Sequence, residues 1–224
     1  MAQPKISLNK LGEYLTATPS RRKRIVQDQQ EPKTFIAARY SDAREEIVQY
    51  LSTGMEDDSA LIAAAQRLRR DDSGTDFAYQ DRLASAEAID NFLEVGEQIE
   101  LDDLVVVPVE NSASESMQIS GVSVSVRPDA YLKDPVTGEI RGAIKLHFPK
   151  TTPLTESAAE YVGAATKVFL QREKKSPVVD HRRCYVIDVS TQTVSTAPKS
   201  HVRKMNDIAA ACEEIDARWK RSKG

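Results

Sequence analysis

The period of the apolar positions changes twice along the chain. Through residue 97 it is helical, near residue 104 it becomes alternation by two, and from residue 152 it is helical again. Leu8, Leu11 and Leu15 predict a short helix that stops before Thr16-Ala17-Thr18-Pro19. Ser20 is a candidate cap for a basic helix through Arg21-Arg22-Lys23-Arg24-Ile25-Val26. Ala43, Ile47 and Leu51 place a helix over 41–53, and Leu61, Ala64, Ala65 and Leu68 another over 57–69. Asp71-Asp72-Ser73-Gly74 breaks the pattern. Leu83, Ala86, Ile89, Phe92 and Leu93 then share one side of a helix over 78–95.

Leu104-Val105-Val106-Val107-Pro108-Val109 is rich in β-formers, with Pro108 marking an edge or a strand end. Residues 111–116 read as a polar loop. Val122-Ser123-Val124-Ser125-Val126 alternates as a half-buried strand does, and strand character continues through Pro128-Asp129-Ala130-Tyr131-Leu132. Asp134-Pro135-Val136-Thr137-Gly138 has hairpin-turn chemistry, and a strand over 140–148 follows. Leu154, Ala158, Tyr161, Val162, Ala165, Val168 and Phe169 line one face of a helix ended by Ser176-Pro177. A strand over 183–189, a short partner at 193–196 and a final helix capped by Ser200 complete the chain. The expected architecture is a mixed α/β domain, with a helical N-terminal region over 1–97 and the sheet-containing core over 98–224.

Composition narrows the chemistry. Two cysteines and three scattered histidines cannot build a four-cysteine zinc site or hold an iron–sulfur cluster unaided. No Gly-rich phosphate loop, Ser-His-Asp arrangement or dinucleotide fingerprint is present. No apolar run approaches the roughly 20 residues of a membrane span, and the first residues lack an apolar leader, so a cytoplasmic protein without membrane contact is expected. Net charge is −3, yet basic residues cluster at 21–24, 67–70, 172–175 and 218–223. A near-neutral body with local basic patches is compatible with nucleic-acid work.

Strand, hairpin, strand, helix, strand, with Pro128-Asp129 on the first arm and Ala143-Ile144-Lys145 on the second, resembles the PD-(D/E)xK nuclease superfamily. The resemblance spans about a third of the chain and implies a restriction-endonuclease-like mixed sheet flanked by helices. It also implies a metal-dependent nuclease, with Asp129 binding Mg2+ or Mn2+ and Lys145 beside it assisting the attacking water. A divalent ion would neutralise charge developing on the phosphate, and hard carboxylate oxygens suit it.

This chain departs from the pattern at Ala143, where the family carries Asp or Glu. One expectation is a migrated acid. Glu156 and Glu160 share a helix face, with Glu160 preferred as the missing ligand, and Glu87 of the upstream helix is a further metal-ligand candidate. The other is a pseudonuclease that keeps the fold and binds nucleic acid or scaffolds a partner protein. Ser157, four residues before Tyr161, supports it, because RecB-type relatives carry glutamine there. A second carboxylate beside Asp129 would favour the enzyme, and a cleft lacking one the binding module. Arg21, Arg22, Lys23, Arg24 and Lys167 are the candidate nucleic-acid contacts, with DNA the favoured partner.

Overall fold

The computed structural model describes residues 3–31, 39–110 and 115–221. Its order is β1 (Lys5–Ser7), α1 (Leu8–Thr16), α2 (Pro19–Gln30), α3 (Ser41–Ser52), α4 (Ser59–Arg70), α5 (Asp76–Leu93), β2 (Val105–Pro108), β3 (Ser116–Ile119) and β4 (Val122–Ser125). Then come β5 (Ala130–Lys133), β6 (Ile140–His147), α6 (Glu156–Arg172), β7 (Cys184–Asp188), β8 (Thr193–Thr196) and α7 (Val202–Arg221). Five strands form a mixed sheet in the order β2-β5-β6-β7-β8, and three form a small one in the order β1-β4-β3.

Side-chain alternation gives the large sheet two buried faces. Tyr131, Ala143, Cys184 and Val186 join one core with residues of α1, α6 and α7. Their strand neighbours Ala130, Leu132, Ile144, Leu146, Tyr185 and Ile187 join the other with α3, α4 and α5. Strands covered on both faces read as nearly continuous apolar runs, as β7 does. The parallel pair β6–β7 needs a crossover, and α6 supplies it. Both cores draw residues from either side of position 97. The mixed α/β class expected from the sequence is present, and no helix among the described residues is long and apolar enough to cross a membrane.

Several boundaries differ from the sequence pattern for local reasons. Thr18 caps α2, its Oγ1 accepting from the Arg21 amide at 3.4 Å. Pro19 holds the first helical position, where its fixed φ suits the helix, so the element starts before Ser20. Thr155 caps α6 through the Ala158 amide, three residues beyond the change of period at 152. At α7 the His201 carbonyl accepts the Met205 amide, leaving Ser200 outside the helix. β1 and β3 escape the pattern: β1 is only three residues long, and β3, Ser116-Met117-Gln118-Ile119, starts inside the segment that reads as a polar loop. Of the expected polar loop, residues 111–114 lie outside the described residues, as do 222–224 of the basic tail.

Candidate functional site

The β5–β6 hairpin pairs Ala130 with Ile144 and Tyr131 with Ala143 in antiparallel register. One step back along the first strand, Asp129 lies opposite Lys145, with its amide donating to the Ile144 carbonyl at 2.8 Å. Cross-strand partners point to the same face, so the register alone brings carboxylate and ammonium together. Lys145 Nζ donates to Asp129 Oδ2 at 2.9 Å, and the Leu146 amide donates to the same oxygen at 2.7 Å. Ala143, fully buried, stands on this face two residues before Lys145.

A third donor comes from a helix far away in sequence. Arg44, in the first turn of α3, places its guanidinium on Asp129 Oδ1. The same guanidinium lies over the Phe148 ring, 4.9 Å from its centroid, and Phe148 stacks on Tyr40 at 5.4 Å. Tyr40 precedes α3 with φ 62°, a left-handed backbone in which residues other than glycine are uncommon. Asp129 is thus buried and enclosed by two cations and a backbone amide. Such charge-assisted hydrogen bonds fix the carboxylate in place.

Lys145 carries opposing influences. Burial lowers its affinity for the proton, and the positive charges of Arg44 and Arg127 add to that, pushing its pKa down to about 7. The Asp129 carboxylate acts in the other direction at 2.9 Å. Burial also lowers the pKa of Arg44. His147, two residues further along β6, is held by the Thr152 carbonyl at Nε2 and by the Asn9 amide at Nδ1. An amide N–H facing Nδ1 requires the neutral ring with its proton on Nε2, and burial pushes its pKa down in agreement.

A divalent metal needs several hard oxygen ligands, and the residues around Asp129 do not supply them. Both Asp129 oxygens already accept from donors, and Ala143 offers none. Glu160 Oε2 is on Lys204 Nζ of α7 at 2.6 Å, Glu87 is on Lys150 at 2.5 Å, and Glu156 is exposed. Among the described residues no three His, Cys, Asp or Glu side chains gather as a group able to hold an ion. The carboxylate set therefore does not fit a divalent ion in this arrangement. Asp129 and Lys145 are brought together; Glu160 and Glu87 are held by other partners.

Most of the expected basic contacts are engaged within the chain. Arg21 pairs with Glu13, Arg24 with Asp28, and Arg22 with Glu214 and the Tyr14 and Leu15 carbonyls. Lys23 is exposed, and Lys167 is buried with its ammonium on the Lys199 carbonyl. The residues that sequence reasoning missed are Arg44 and Arg127. Arg44 looks like any polar position between Ala43 and Ile47, and its partner is 85 residues away. Arg127 adjoins Pro128-Asp129, and that adjacency was the available signal. Comparison with known proteins returns no matching family model, no matching curated protein and no matching solved structure.

Proposed function

We propose that this chain is a nuclease-derived protein that binds nucleic acid at the Asp129–Lys145 cleft without cutting it by a metal-dependent reaction. The observation that carries this reading is the saturated Asp129 carboxylate, flanked by Arg44 and Lys145, with alanine at the family's second acidic position. A carboxylate so enclosed acts by holding two cations in place. Guanidinium and ammonium groups fixed at one locus suit the phosphodiester backbone.

A second reading remains, a Mg2+- or Mn2+-dependent nuclease, and the cross-strand placement of Asp129 and Lys145 favours it. The two separate in one experiment. Labelled DNA and RNA are incubated with wild type and Asp129→Ala in Mg2+ or Mn2+, and binding is measured in parallel with a chelator present. Expected are intact substrate throughout and chelator-insensitive binding that Lys145→Ala weakens. Metal-dependent cleavage lost in Asp129→Ala would replace this reading with the nuclease. Neither binding nor cleavage by folded protein would remove both.

A further inference from the structure

The small sheet carries a polar face that the cleft does not explain. In β4, Val122 and Val124 point into the core while Ser123 and Ser125 point out. Register aligns these serines in two rows across all three strands. Ser123 lies between Lys5 of β1 and Gln118 of β3, and Ser125 between Ser7 and Ser116. One further step of two along the chain is exposed Arg127, and two beyond that is Asp129. The face therefore leads from one sheet directly to Lys145 on the other.

A groove of about 470 Å3 follows this path, with Lys5, Ser123, Ser125, Arg127 and Lys145 on its walls. Among the described residues no acidic and no aromatic side chain lines it. Lys5 and Arg127 form no ion pair among the described residues, and the Ser116, Ser123 and Ser125 hydroxyls make no hydrogen bond there. Glu115, just before β3, is tied to Lys174. The residues outside the description, 1–2, 32–38, 111–114 and 222–224, include no Asp or Glu that could neutralise the cations. Exposed cations and free hydroxyl donors without a counter-charge are the elements of a polyanion site.

We infer that this face is a track for the sugar–phosphate backbone of a single nucleic-acid strand, running from Lys5 along the serine rows past Arg127 to Lys145. The inference rests on the nucleic-acid-binding reading above and assigns it a surface. Three strands at the usual spacing span roughly 10 Å, the breadth of one backbone and well short of a duplex. The cations and hydroxyls on its walls suit phosphate and sugar, and no aromatic platform for the bases stands among the described residues, so binding is expected to be indifferent to sequence and sensitive to salt.

The test is fluorescence anisotropy of a labelled single-stranded DNA, the matching single-stranded RNA and a duplex, titrated at several salt concentrations with a chelator present. The track variants are Lys5→Ala, Arg127→Ala and Ser125→Asp, measured beside Lys145→Ala, with Arg70→Ala on the exposed end of α4 as control and circular dichroism to verify folding. The expected result is tighter binding of single strands than of duplex. Lys5→Ala and Arg127→Ala should each reduce the salt slope by about 1, Ser125→Asp should weaken binding at all salts, and Arg70→Ala should match wild type. If Lys145→Ala weakens binding while these three variants bind as wild type does, the track is wrong and the cleft reading stands. Tighter duplex binding would also overturn the track. No binding by wild type would overturn both.

Discussion

Lys145 is a cation whose charge is in question near neutral pH. Burial, Arg44 and Arg127 push its pKa from the usual 10.5 down to about 7. Below pH 7 it is charged and can face a phosphate; above that it loses the proton. Nucleic-acid binding should therefore fall as pH rises through about 7, and Lys145→Arg, which keeps its charge, should flatten the profile. Affinity measured from pH 6 to 9 for both proteins checks this, and identical profiles would sink it. The same shift acts on stability with a defined sign. Between about pH 7 and 10.5 the unfolded chain holds a proton that the folded one has released, so this group's contribution makes the fold more stable as pH rises across that window. Asp129 and Lys145 were legible through the family resemblance carried by Pro128-Asp129 and Ala143-Ile144-Lys145, and the register of the short hairpin explains why they face each other. Arg44 was not, since a helix face says nothing about the partner it meets from 85 residues away.

At the scale of elements, two glycines show different reasons for the same residue. Gly142 in β6 lies so close to the 3-10 turn His181–Arg183 that a Cβ there would overlap the Arg183 carbonyl. Gly138, in the turn before β6, has nothing within 4 Å of an added Cβ but adopts φ +72°. Gly142→Ala should cost about 1–3 kcal/mol through overpacking, and Gly138→Ala about 1–2 kcal/mol through left-handed backbone strain. Urea unfolding of each variant checks both, and a neutral Gly142→Ala would mean that the turn yields to the added methyl without cost. The turn glycine was readable from Asp134-Pro135-Val136-Thr137-Gly138. The strand glycine was not, because its neighbour comes from beyond α6.

For the whole molecule, the decisive feature is one sheet shared by two cores. Tyr131 and Ala143 belong to one core and Leu132 and Ile144 to the other, so neither can loosen without losing packing from the same strands. Trp219, the only tryptophan, is buried in the first core, on α7. Its fluorescence and far-ultraviolet circular dichroism, which also reports α3–α5, should give coincident urea midpoints. Separate midpoints would mean that the helical layer unfolds independently. The mixed α/β class was legible from the change of period along the chain. The sharing of the sheet was not, because single-sequence patterning shows which residues are buried and not which helix covers them.

The path from β4 into β5 has a mechanical consequence. Ser125, on the small sheet, and Asp129, beside the large one, are joined by four residue steps, on the order of 13 Å of extended chain. The Val126 amide is fastened to Glu115 and the Asp129 amide to Ile144, so both ends of this link are anchored. The serine rows and the carboxylate that holds Arg44 and Lys145 are therefore coupled through one short covalent link fastened to both sheets. The two sheets are in this respect a handle and a clamp on a single piece of chain.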